Sequence, residues 1–70
     1  MIVFAQVHEA MVIATTNGIK PTGIFLGVVK SEAFEAAMIA TGGAQEEGGT
    51  TYFCGLPVTY NSPTPGITVA

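Results

Sequence analysis

Apolar side chains along the first quarter of the chain recur at steps of three and four. Val3, Val7, Ala10, Met11 and Ala14 fall on one side of a helical wheel, and Gln6, Glu9 and Thr16 on the other. Residues 2–16 therefore read as a helix, with Ile13 widening the stripe. A strand over residues 1–5 is the alternative, because Ile2, Val3 and Phe4 are good strand formers. Asn17-Gly18 supplies a stop, since glycine tolerates the left-handed conformation that closes many helices, and Pro21 opposes continuation.

The pattern then changes period. Residues 23–29 form an unbroken apolar run containing Ile24, Phe25, Val28 and Val29, the composition of a strand buried on both faces. Ser31 follows as an N-cap, with Glu32 in the first turn where the helix dipole favours a negative charge. Phe34, Ala37 and Met38 continue a helical stripe, so a second helix is expected over residues 31–40. Residues 41–50 hold two Gly-Gly pairs around Glu46-Glu47 and read as a loop. Residues 51–60 read as one strand with Tyr52, Cys54, Leu56, Val58 and Tyr60 on one face and Phe53 on the other. Pro57 removes a ladder donor, which puts that strand at an edge or gives it a bulge near Gly55. A proline-containing turn over residues 61–66 leads to a short returning strand over residues 67–69. The order helix, strand, helix, strand, strand describes one small α/β (α+β) domain over residues 1–70. Two helices are expected to pack on a mixed sheet of about three strands.

Composition narrows the function. The chain has two lysines, five glutamates, no arginine and no aspartate, and 49% of its residues are hydrophobic. Two separated lysines cannot build the basic patch that phosphate neutralisation requires, which argues against nucleic acid as a partner. The apolar runs are far shorter than the ~20 residues a membrane helix needs, and the N-terminus lacks the positive start of a secretory signal. The single cysteine, Cys54, excludes an intrachain disulfide and suits a reducing interior. A domain this small seldom draws more than ~3–5 kcal/mol from its core alone. With zinc disfavoured by a single histidine, a homo-oligomer or a protein partner is the expected source of further stability.

Candidate chemistry is thin. His8 and Cys54 are the only nucleophile and base available as a pair, and no aspartate exists to orient them. Glu32 and Glu35 are explained by the helix start, and Glu46-Glu47 by solvation of a glycine-rich segment. The glycine pairs lack the lysine and following helix of a phosphate loop. No catalytic residue, cofactor site or metal site is assigned, and the chain is not expected to be an enzyme. The candidate interface is Tyr52, Phe53, Leu56 and Tyr60, because tyrosine is enriched at interfaces and an unguarded edge strand tends to pair with another chain.

One succession of segments carries a resemblance. A helix is followed by Lys20-Pro21-Thr22-Gly23-Ile24-Phe25-Leu26-Gly27, a helix over residues 31–40, then Tyr52-Phe53-Cys54-Gly55-Leu56-Pro57-Val58 and the turn Ser62-Pro63-Thr64-Pro65. From about Val7 to Ala70 this resembles small phage and prophage proteins and a stretch of the tailed-phage major capsid proteins. A complete capsid subunit is several times longer and has an extended arm and a spine helix that find no counterpart here. The resemblance thus implies a capsid-like fragment or a stand-alone relative with a structural or accessory role. It places the protein in the host cytoplasm or the virion. A small regulatory module that inhibits a host or bacterial protein is the alternative, since an acidic chain suits a basic target.

Overall fold

The computed structural model describes residues 2–42 and 45–70. The first helix, α1, spans Ile2–Thr16. Its buried residues Val3, Val7 and Ala14 follow the stripe read from the sequence. The strand alternative for residues 1–5 is not adopted from Ile2 onward, and Met1 lies outside the described residues.

The next two elements divide the chain differently from expectation. Strand β1 is only Ile24–Leu26, and helix α2 already begins at Val28, running to Thr41. Gly27 is its N-cap. Val28 and Val29 are therefore exposed first-turn helix residues, at 58% and 75%, in place of strand residues buried on both faces. The segment of residues 64–66 crosses directly over Gly27, the residue before Val28 and Val29. A Cβ on Gly27 would sit 2.8 Å from Pro65 Cα, so only glycine fits there. Ser31, read as the cap, is buried inside the helix. Its hydroxyl donates to Leu26 O (3.1 Å) and accepts from Asn61 N–H (2.8 Å), tying the end of β1 to the chain after the fourth strand.

Among the described residues, five strands form the mixed sheet where about three were expected. β2 (Gln45–Glu47), β3 (Thr50–Phe53), β4 (Leu56–Thr59) and β5 (Ile67–Val69) join β1 in the order β2-β3-β4-β1-β5. β1 runs parallel to β4, and every other pairing is antiparallel. The segment expected as a loop over residues 41–50 contains β2, although residues 43–44 lie outside the described residues. The segment expected as a single strand over residues 51–60 is a hairpin. Its turn residues, Cys54 and Gly55, have φ of 52° and 80°, and Gly48-Gly49 turns similarly at 59° and 81°. Positive φ at both central residues is the twist-matched type I′ hairpin geometry.

β4 consequently lies inside the sheet, between β3 and β1, and not at an edge. Pro57 is accommodated there because Phe53 and Leu56 flank the tight turn as the hydrogen-bonded pair, leaving Tyr52 and Pro57 as a non-bonded pair. The missing N–H of Pro57 faces β1, whose pairing with β4 begins only at Val58.

Both helices cover one face of the sheet. Val7, Ile24, Leu26 and Phe34 are fully buried there, together with Val3, Ala37, Phe53 and Val58. Phe34 is the hub. Its ring meets Phe4 edge-on at 5.1 Å, Phe53 at 5.6 Å and Tyr60 at 6.2 Å. Burying several rings at favoured angles concentrates much of this small core's apolar area in one cluster.

Candidate protein-docking surface

The strand registers decide which face each candidate residue occupies. Phe53 pairs with Leu56 and Thr51 with Val58, all on the helix-covered face. Tyr60 turns to the same side, against Phe34, with its hydroxyl 3.4 Å from Thr51 Oγ1. Only Tyr52 points to the opposite face, opposite Pro57. The expectation that Tyr52, Leu56 and Tyr60 share a face, with Phe53 on the other, is thus corrected. Two turn residues intervene between Phe53 and Leu56, so the alternation restarts across the hairpin and inverts the parity. Phe53, 8% exposed, belongs to the core.

The uncovered sheet face carries Phe25, Thr50, Tyr52, Pro57, Thr59 and Thr68, with Glu47 at its β2 corner. Phe25 and Tyr52 are half-buried on it. The sequence reading missed Phe25 here because it took its strand as buried on both sides.

The helical layer is the more apolar surface. Ile2, Val29 and Ile39 are 78%, 75% and 77% exposed, and Val12 and Ile13 are about half exposed. Beside Ile2, a groove of about 280 Å³ runs against Ala33, Ala36 and Ala37. Lys30 Nζ donates to Gln6 Oε1 at 2.8 Å and pins the two helices together at that end. The exposure is not a symptom of a loose fold. The accessible surface is 4345 Å², and a folded monomer of this mass is expected to show about 4,100 Å².

His8 and Cys54 lie on the same side of the molecule. Both line an open concavity of about 320 Å³ with Met11, Val12, Thr15 and Thr16. Its chemistry is poor, however. None of the lining residues is an acid or amide able to orient the imidazole. The two threonine hydroxyls donate to the carbonyls of Met11 and Val12 one turn earlier, at 3.0 and 2.9 Å. Among the described residues, no buried side-chain nitrogen or oxygen lacks a hydrogen-bond partner, and no three His, Cys, Asp or Glu side chains are grouped to hold a metal ion. Among them, too, no helix is long and apolar enough to cross a membrane.

The two sheet edges differ in character. β2 is the sequence Gln-Glu-Glu, whereas β5 is Ile-Thr-Val with no charge. Charged side chains are a common guard against strand pairing, so one edge is protected and the other is not.

No protein-family model matches the chain, and no curated protein or solved structure matches it.

Proposed function

We propose that the chain is a structural or accessory protein of the phage or prophage kind, working by self-association and not by catalysis. The carrying observation is the surface. A compact domain with two lysines and five glutamates leaves Ile2, Val12, Ile13, Val29 and Ile39 half exposed or more. Burying these aliphatic side chains against another chain would gain roughly 25 cal/mol per Å² of apolar surface removed from water. The poverty of the His8–Cys54 concavity supports a non-catalytic role, and the resemblance in strand and turn sequence supports the phage assignment. Of the interface residues read from the sequence, Tyr52 is the one on an uncovered face, so it stays in the proposal.

Size-exclusion chromatography with light scattering, over a concentration series, tests the reading. A mass of a multiple of 7.2 kDa is expected. A monomer at every concentration would overturn self-association and favour a regulatory module that docks its apolar surface on a different, basic protein.

A further inference from the structure

The β5 strand ends the sheet on an uncharged edge. Gly23 and Ala70 exchange backbone hydrogen bonds (Gly23 N–H to Ala70 O, 3.0 Å; Ala70 N–H to Gly23 O, 3.2 Å), and Gly27 N–H donates to Gly66 O at 2.9 Å. In an antiparallel ladder, bonded and non-bonded pairs alternate. Thr68 therefore bonds with Phe25, while Val69 opposite Ile24 and Ile67 opposite Leu26 form the non-bonded pairs. The N–H and C=O groups of Ile67 and Val69 turn outward to the free edge, where they have no hydrogen-bond partner among the described residues.

We propose that a second copy of this chain occupies that edge, β5 against β5 about a two-fold axis at Thr68. Ile67 then lies opposite the partner subunit's Val69, and the outward groups of both complete four backbone hydrogen bonds. Thr68 lies opposite its own symmetry mate as a non-bonded pair on the uncovered face, where threonine side chains fit well against each other. The axis runs perpendicular to the sheet, so both helical layers stay on one side and the sheet becomes ten-stranded. Each α1 packs on its own β5, which sets the two helices beside each other over the join.

Charge selects this edge over the alternatives. The chain carries a net −3. Joining β2 to β2 would bring the Glu46 and Glu47 pairs of both copies together, and joining β2 to β5 is a head-to-tail contact that gives a ring or a filament and no two-fold dimer. Only β5 with β5 closes a dimer without aligning carboxylates.

The proposal rests on the self-association reading, and a charge exchange separates the two. Thr68→Lys and Thr68→Glu each set a like charge against itself. Each variant is expected to run as a monomer at concentrations where the parent is a dimer, and mixing the two is expected to restore the dimer mass. A parent dimer that both variants retain would overturn the β5 edge and leave self-association standing. A parent that is monomeric throughout would overturn both. Should circular dichroism show either variant unfolded, Thr68→Cys in a Cys54→Ser background decides. Oxidation should yield a cross-linked dimer from it and none from Thr59→Cys, which sits on the same face of an inner strand. Failure of Thr68→Cys to cross-link would overturn the pairing.

Discussion

Gly23 and Gly27 flank β1, both buried, neither with a positive φ, yet alanine should act on them in opposite directions. At Gly23 an added Cβ meets its nearest neighbour, Pro57 O, at 3.7 Å, an ordinary contact. The methyl group there removes freedom from the unfolded chain and should be neutral or stabilise by ~0.4–1 kcal/mol. At Gly27 it meets Pro65 Cα at 2.8 Å, Gly66 N at 2.9 Å and Thr64 O at 3.0 Å, all of them backbone. Carbon contacts are optimal near 3.5–4.0 Å, so the crossing segment must retreat by roughly 1 Å. That segment is held by the Gly27 N–H to Gly66 O bond and by Ser62 N–H donating to Leu26 O at 2.8 Å. Overpacking costs ~1–3 kcal/mol and a weakened hydrogen bond ~0.5–1.5 kcal/mol. Less the unfolded-state gain, Gly27→Ala should lose about 2 kcal/mol. For a domain of this size that lowers Tm by about 8–16 °C. Thermal unfolding followed by circular dichroism, with all proteins at one concentration because association shifts Tm, measures the difference. A Gly27→Ala protein melting at or above Gly23→Ala would refute the steric argument.

Three further substitutions probe the same framework. Phe34→Ala removes the hub of the aromatic cluster at a cost of ~3–5 kcal/mol, about the whole stability of a domain this small, and should leave no cooperative melting transition. Ser31→Ala removes the acceptor of the Asn61 N–H and one of the two donors to the Leu26 carbonyl, which keeps its bond from Ser62 N–H. It should lower stability by about 0.5–1.5 kcal/mol in urea titration, with an unchanged m-value. Cys54→Asn puts a residue tolerant of positive φ before Gly55 in the β3–β4 turn. It should raise Tm by a few degrees, because a non-glycine left-handed residue costs ~1–2 kcal/mol and asparagine pays the least of it.

The helical half of the fold was legible because its signal is long. Val3, Val7 and Ala14 recur over about three turns, further than the strand alternative at residues 1–5 can reach. The strands were not, because each is three or four residues long and the turns between them are written in residues that also occur in strands or loops. Cys54 is apolar, so the alternation reads straight through a hairpin reversal, which is why Tyr52 and Leu56 were placed on a common face. Gly48-Gly49 reads as a loop whether or not strands flank it, and so β2 went unseen. Val28 and Val29 favour strands locally yet open α2, and the close approach of Pro65 to the preceding Gly27 joins segments too far apart in sequence to be read from it. The same distances in sequence hid the β5 edge, since the guarding of an edge is visible only when the strand order is known.

The strand order also fixes when each part of the sheet can form. The β2-β3-β4 meander needs only two tight turns, each closing within a few residues. β1 instead waits for Val58 to reach Ile24, a separation of 34 residues (58 − 24), and for Val69, a separation of 45 (69 − 24). Loop closure of that length must be completed before it is repaid by contacts. The meander is thus the natural nucleus, and β1 with β5 the late arrivals. Substitutions in the Cys54-Gly55 turn should act on the folding rate, whereas those in β1 and β5 should act on the unfolding rate. Until β1 docks, β4 is a bare edge bearing Val58, and unpaired edges of that kind are where chains aggregate.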